Sequence, residues 1–553
     1  MKTFTVNDWK QYFPFAIPRP EQVTAINFAL DAYLNQGKRF VIVECGTGGG
    51  KAAIGLTLAR MLDAHIDTDI TDDKFVQGTY FLTTQKILQE QYVNDFGGTS
   101  GCMKSLKSSS NYQCTGLAKD ESCASGQRIM NGNIGVDQGM PGWKTCMFDC
   151  AYKRARREFI ESREGVTNFA YFLASTQYTD KLKSRKCLVV DEAHNSDLAL
   201  SKFIEITLTE KFAYETLKLQ LPVSLTQAQT VQWISDVYQP KLAKYMKHVE
   251  GVLEQYQGLK DKLMEFSKHA RLFEQLDKHV CQINRFLKLY DPKNWVMNEV
   301  EAFGRSSARI EFKPIDVSSF AEDFLFRLGK RVLLMSATIL NKDGFCELLG
   351  INKCDVAFVS LPSPFPAANK PILYSPAGSM AARAINDTLP YLTAMIKEIM
   401  KAHPDERGIV HCHNWRIANH LKENIHSQRI LIHNSDNREE MLQQHMTSDA
   451  GNTVLLSPSM AEGVDLKDDA GRFSIICKIP YPFLGDKLVK KRMHKWVWWY
   501  SLQTVRTLIQ SAGRSVRSKD DHAVTYILDA DFDRLYKQNI DIFPQDFKDA
   551  VVK

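Results

Sequence analysis

Two short segments carry residues whose types and spacing suit phosphate chemistry. The first, Cys45-Gly46-Thr47-Gly48-Gly49-Gly50-Lys51, follows the apolar run Phe40 to Val43 and precedes a helical pattern from Ala52 to Leu62. Backbone N–H groups of such a glycine loop, with a helix N-terminus behind them, wrap anionic phosphates, and Lys51 adds a point charge at the β- and γ-phosphates. The second, Val189-Val190-Asp191-Glu192-Ala193-His194, closes the apolar run Cys187 to Val190. There Asp191 suits a magnesium ion, and Glu192 suits orienting or deprotonating the attacking water. The pair predicts a nucleoside triphosphatase using ATP and Mg2+.

A third segment, Gln510-Ser511-Ala512-Gly513-Arg514-Ser515-Val516-Arg517, places two arginines three apart on a helical stretch, hence on one face. Arg514 and Arg517 can there meet charge developing on the γ-phosphate, as an arginine finger within the chain. Each segment alone has a plain alternative: a surface turn, a solvated loop, a solvated basic face. Ala52 breaks the glycine-loop pattern, which calls for a Ser or Thr hydroxyl on magnesium directly after the lysine. A methyl group there predicts loose metal binding with ATPase activity retained, because magnesium usually keeps several waters.

Cys114, Cys123, Cys146 and Cys150 are spaced C-x8-C-x22-C-x3-C, with Cys102 nearby. Four thiolates from one segment suit a [4Fe-4S] cluster or a zinc ion alike, and spacing does not separate the two. Buried, metal-free thiols packed as small apolar residues are the third possibility.

These residues need elements to hold them. At 553 residues the chain is too long for one core and predicts three or four compact units. Phe40 to Val43, Thr79 to Leu82, Leu188 to Val190 and Val332 to Met335 read as strands of one parallel α/β sheet. Gly408 to His411, Arg429 to Ile432, Thr453 to Leu456, Phe473 to Ile479 and Val524 to Leu528 read as strands of a second. Between Lys241 and Tyr290 there is no proline, and Leu272, Leu276, Val280, Ile283 and Phe286 recur at spacings of three and four, predicting an amphipathic helix. The boundaries that follow are 1–100, 166–198 and 313–360 for the first α/β lobe, 101–165 for a cysteine-rich insert, 199–312 for a helical insert, and 361–553 for the second lobe.

Composition bounds the class. Twelve cysteines are too few for a disulfide scaffold, and their concentration between Cys102 and Cys150 points to a metal in a reducing compartment. No run of about eighteen apolar residues occurs and the N-terminus lacks an apolar signal core, so a soluble, cytoplasmic protein with no membrane contact is expected. A net charge of +6, from 70 Lys and Arg against 64 Asp and Glu, does not by itself mark nucleic-acid binding. Local clusters say more. Lys153, Arg154, Arg156 and Arg157 follow Cys150, while Lys487, Lys490, Lys491, Arg492 and Lys495 precede Trp496, Trp498, Trp499 and Tyr500. Basic side chains beside aromatics suit a single strand, although Trp496, Trp499 and Tyr500 also sit at the spacing of a buried helix face. His411, Cys412 and His413 extend an apolar strand with no acidic partner nearby and read as strand-end packing.

In their order, the glycine loop, Asp191-Glu192-Ala193-His194, Ser336-Ala337-Thr338 and Gln510 to Arg517 resemble the motif series of superfamily 2 helicases. Arg19-Pro20-Glu21-Gln22, Thr83-Thr84-Gln85 with Leu88 and Gln91, Asn168 to Leu173, Ser363-Pro364-Phe365, Glu462 to Leu466 and Asp529 to Phe532 narrow the resemblance to the XPD/DinG family. It implies two RecA-like parallel-sheet lobes, the first interrupted by a cysteine-rich insert and a helical, arch-like insert. It implies catalytic roles for Lys51, Asp191, Glu192, Gln510, Arg514 and Arg517. Nucleotide contacts are implied at Arg19, Gln22, Gly46, Thr47, Gly48, Gly49, Gly50, Lys51, Ala52 and Asp465. It favours [4Fe-4S] over zinc at Cys114, Cys123, Cys146 and Cys150, and 5′ to 3′ movement on single-stranded DNA by a monomer that unwinds forked duplex. A translocase acting on protein–DNA or RNA–DNA complexes, and a single-strand-binding protein with weak ATPase, are the competing readings.

Overall fold

The computed structural model describes residues 8–46, 48–64, 74–84, 86–98, 102–117, 122–132, 142–178, 182–256, 259, 262–302, 306–434, 437–448, 451–458, 468–513, 516 and 521–552. Its frame is two seven-stranded sheets, each wholly parallel. The first is built from β1 (Phe40–Cys45), β2 (Val76–Thr83), β3 (Met103–Leu106), β4 (Glu164–Asn168), β5 (Arg185–Val190), β9 (Gly329–Ser336) and β10 (Val356–Leu361), in the order β10-β1-β9-β5-β2-β4-β3. Between β5 and β9 the chain leaves this sheet and forms a separate antiparallel one from β6 (Ile206–Thr209), β7 (Trp295–Val300) and β8 (Arg309–Pro314). The second parallel sheet comprises β11 (Ile372–Gly378), β12 (Gly408–His411), β13 (Ile430–Ile432), β14 (Val454–Ser457), β15 (Phe473–Ile476), β16 (Val524–Asp529) and β17 (Val551–Val552), in the order β13-β14-β12-β15-β16-β11-β17.

Buried on both faces, the central strands are apolar throughout rather than alternating: Val41, Ile42 and Val43, Leu188 to Val190, and Val332 to Met335 are all inaccessible to solvent. Helices cover each face. The helix Lys51–Ala64 and its neighbour Pro20–Leu34 close one apolar layer of the first lobe with Val41, Val43 and Val189, and Phe40, Ile42, Leu188 and Val190 face the other. This is the two-lobed parallel α/β architecture expected from the sequence.

Two features depart from expectation. Strands β3 and β4 lie at the two ends of the 101–165 segment and complete the first sheet, and the helix Ala151–Glu161 between them packs into that lobe's core through Phe159. The 199–312 segment is not purely helical, since β6, β7 and β8 form its base. The proline-free stretch Lys241 to Tyr290 is two packed helices, Gln239–Tyr256 and Leu263–Leu289, the second of which is the amphipathic helix read from Leu272 to Phe286. One uninterrupted helix would extend about 75 Å at 1.5 Å per residue and leave its apolar stripe uncovered. Folding back buries Val249, Leu276, Ile283 and Phe286 in a layer continuous with the first lobe.

Candidate nucleotide site between the lobes

The glycine loop leaves the C-terminal end of β1 and enters the helix Lys51–Ala64, where a phosphate would meet a helix N-terminus. Its small residues are required. Gly50 has φ +73°, and a Cβ there would come within 2.2 Å of Gln22 Nε2; at Gly49 a Cβ would meet Cys45 Sγ at 2.2 Å. Arg19 and Gln22 brace the loop from outside: the Arg19 guanidinium donates to Gly48 O at 2.5 Å and Gln22 Nε2 to Gly50 O at 3.4 Å, while Gln22 Oε1 accepts from Arg19 N at 2.9 Å.

Asp191 and Glu192 leave the end of β5, two strands away across β9. Lys51 Nζ stands 3.8 Å from Glu192 Oε1, which brings the two predicted segments together. Asp191 is half-buried; its Oδ1 accepts from Glu192 N at 2.9 Å and its Oδ2 from the Tyr92 hydroxyl at 3.1 Å. Burial, then the neighbouring Glu192 carboxylate, push Asp191 up to about 6, while Lys51 and these two hydrogen bonds act the other way. Glu192 holds a left-handed backbone, φ 50°, a conformation that costs a non-glycine residue of order 1 kcal/mol and recurs at functional sites.

His194 connects this corner to the second lobe. Its Nδ1 lies 2.8 Å from Ser336 Oγ and 3.4 Å from Glu192 Oε2, and its Nε2 lies 2.8 Å from Gln510 Nε2. Gln510 also reaches Thr338 Oγ1 at 3.2 Å, and its own Oε1 is buried with no hydrogen-bond partner among the described residues. Arg506, one turn earlier on the helix Trp499–Ala512, donates to Thr338 O at 3.0 Å. Ser336 and Thr338 therefore tie the acidic segment to the second lobe. A cavity of about 100 Å³ opens beside these groups, lined by Gly46, Glu44, Thr338 and Gln510 among others. Thr47, Asp465, Arg514 and Arg517 lie outside the described residues.

A magnesium ion is commonly held by one or two carboxylates, water and substrate phosphates, and Asp191 at a strand end beside Lys51 fits that mode. The cysteines are less uniform. All four are buried; Cys123 Sγ and Cys150 Sγ are 3.0 Å apart, while Cys114 and Cys146 pack with Leu117, Phe266 and Ala270. Burial, followed by the adjacent Cys150, pushes Cys123 up to about 12. Among the described residues no set of three or more His, Cys, Asp or Glu side chains is arranged to hold a metal ion. In chemistry and burial the donors fit a four-thiolate group, but two zinc-bound sulfurs sit about 3.8 Å apart at a Zn–S distance of about 2.3 Å, so Cys123 and Cys150 must separate to bind one.

The basic run before Trp496 behaves differently from a free track. Arg492 is buried against Asp197 and donates to Ile315 O, Lys495 pairs with Asp316, and Trp496 and Trp499 are 3% and 5% exposed. Those tryptophans are core residues. Lys487, Lys490, Lys491 and His494 line a groove of about 920 Å³ against the 290–299 segment. His411 and Cys412 are buried at the end of β12, in keeping with strand-end packing.

Two parallel α/β lobes with a phosphate loop on one, and a glutamine of the other reaching its acidic segment, define a two-lobed nucleotide-dependent motor domain. Comparisons with known proteins agree. Residues 396–549 match the family described as Helicase C-terminal domain, and residues 16–221 match that described as Type III restriction enzyme, res subunit. The chain is 23% identical over 586 residues to the ATP-dependent DNA helicase YoaA of Escherichia coli, covering 88% of each. It is 25% identical over 242 residues to the ATP-dependent DNA helicase DinG of Photobacterium profundum, covering 40% of this chain and 34% of that one. A solved XPD helicase superposes with a TM-score of 0.64 at 15% identity, over 96% of this chain and 98% of that one. The chain is thus similar over most of its length to ATP-dependent DNA helicases and shares the fold of the XPD helicase. No helix among the described residues is long and apolar enough to cross a membrane.

Proposed function

We propose that the chain is an ATP-dependent DNA helicase that moves 5′ to 3′ along single-stranded DNA and opens forked duplex. The observation that carries this reading is the meeting of Lys51, Glu192, His194 and Gln510, from both lobes, at one cleft. The glycine loop and Lys51 bind the triphosphate, with Arg19 and Gln22 holding the loop in shape. Bound magnesium would neutralise charge on the β- and γ-phosphates. Glu192 takes the proton of the attacking water, and His194 holds that carboxylate while linking its position to Gln510. Arg514 and Arg517 complete the site from the second lobe, and Asp465 contacts the nucleotide. Closing on ATP and opening after hydrolysis then moves the lobes relative to one another.

The single strand runs over exposed Lys490 and Lys491 along the groove facing the 290–299 segment. The four cysteines hold a [4Fe-4S] cluster, with zinc as the competing group. Ala52 favours a second reading, a single-strand-binding protein or remodelling translocase with weak hydrolysis. ATPase assays with and without single-stranded DNA, beside unwinding of forks with 5′ or 3′ tails, separate these. DNA-stimulated hydrolysis with opening of 5′-tailed forks is expected. Binding should weaken steeply with salt as phosphate contacts release counterions. Opening of 3′-tailed forks alone would overturn the polarity, and no hydrolysis at any magnesium concentration would favour the binding protein.

A further inference from the structure

Ala52 removes the hydroxyl that would stand beside the magnesium-binding carboxylate. A different hydroxyl reaches that carboxylate from another helix. Tyr92, on the helix Lys86–Phe96, is 4% exposed, and its ring is held at 5.8 Å centroid distance from both Phe81 and Phe96. Its hydroxyl is 3.1 Å from Asp191 Oδ2. Ala52 and Tyr92 border the same apolar cluster, and the phenol spans from that layer to the carboxylate. Without the phenol, Oδ2 would lose the donor that reaches it from the apolar layer, and a half-buried carboxylate deprived of that donor is free to turn away.

We infer that Tyr92 is a positioning residue which holds the Asp191 carboxylate oriented for magnesium, and so supplies from the helix Lys86–Phe96 the hydroxyl contribution that Ala52 omits. The inference rests on the nucleotide-site reading above. It concerns metal-dependent binding, so its test does not need turnover.

Binding of a fluorescent, non-hydrolysable ATP analogue is titrated with Mg2+ for the natural protein, Tyr92→Phe, Ala52→Ser and the double variant, with binding in EDTA as the control. Tyr92→Phe should raise the half-saturating Mg2+ concentration about tenfold, the effect of one hydrogen bond to a charged group, and leave binding in EDTA unchanged. Ala52→Ser should lower that concentration, and in its background Tyr92→Phe should shift it less than about twofold, since coupled groups are not additive. An unchanged Mg2+ requirement in Tyr92→Phe overturns the inference, as does an equal shift in both backgrounds. Should Tyr92→Phe fail to fold, Ala52→Ser alone decides: an unaltered Mg2+ requirement means that no hydroxyl is missing. If the natural protein binds no nucleotide at any Mg2+ concentration, the nucleotide-site reading itself falls, a result distinct from all of these.

Discussion

Glu192 occupies a strained left-handed backbone with Lys51 on one side and His194 on the other, the placement on which its proposed role as general base rests. Glu192→Gln should bind ATP and lower DNA-stimulated turnover about 10²–10⁴-fold, the usual worth of a positioned proton acceptor; single-turnover hydrolysis alongside nucleotide binding checks it, and near-natural turnover would remove Glu192 from the role. At this scale the glycine loop and the acidic segment were legible because local order, strand then loop then helix, determines what they can do. Tyr92 was not, because its hydroxyl meets Asp191 across 99 residues of sequence and nothing in Gln91-Tyr92-Val93 announces an inward-facing donor. The His194–Gln510 contact, 316 residues apart, was hidden for the same reason, although both residues stood out as motif members.

Single elements carry two further predictions. The segment between β3 and β4 carries four buried thiols, two of which, Cys114 and Cys146, pack against the helix Leu263–Leu289 through Phe266 and Ala270. Protein purified without oxygen should contain about four iron atoms per chain if these thiols hold the cluster. Cys150→Ser should lose the iron and unwinding while retaining most basal ATPase, because the phosphate loop lies on separate strands; stoichiometric zinc without iron would overturn the iron–sulfur assignment. The helix Arg438–Thr447 of the second lobe carries His445, fully buried, with Nε2 2.9 Å from Ala470 O and Nδ1 2.9 Å from Thr453 Oγ1. Burial pushes it down from 6.5 to about 4. Between those values the unfolded chain binds a proton that the folded lobe refuses, so the stability is present above about pH 6.5 and is lost as pH falls toward 4. The loss is about 3 kcal/mol once both states are protonated, and less at pH 5. Thermal melts at pH 7 and pH 5 should show a larger drop for the natural protein than for His445→Gln, and equal drops would rule His445 out as the cause. Strands such as β12 and β16 were readable from apolar runs; β3 and β17 were not, because edge strands of four and two residues carry few apolar positions to read.

At the scale of the whole molecule, the lobes are joined away from the cleft as well as in it. The helix Lys487–Lys495 of the second lobe places Arg492 against Asp197 at 3.1 Å, with side chains 1% and 4% exposed, and Arg492 Nε donates to Ile315 O at 2.9 Å. Asp197 lies three residues beyond His194, so the junction sits directly behind the acidic segment. A sequence with five cations before a tryptophan cluster reads as a nucleic-acid track, because charge type is visible in sequence and burial is not; here one of those cations holds the lobes together. Removing it leaves a buried, uncompensated carboxylate, which costs about 3–5 kcal/mol, whereas replacing both partners by apolar groups of similar size is often near neutral. Arg492→Met should therefore lower the melting temperature by several degrees and expose the junction to limited proteolysis, and Arg492→Met with Asp197→Leu should recover most of that loss. ATP affinity should weaken in the single variant, since Gln510 would then approach His194 from a less fixed lobe. If Arg492→Met melts and resists protease like the natural protein, the ion pair does not hold the junction, and the cleft contacts through Gln510 and Arg506 alone keep the lobes in register.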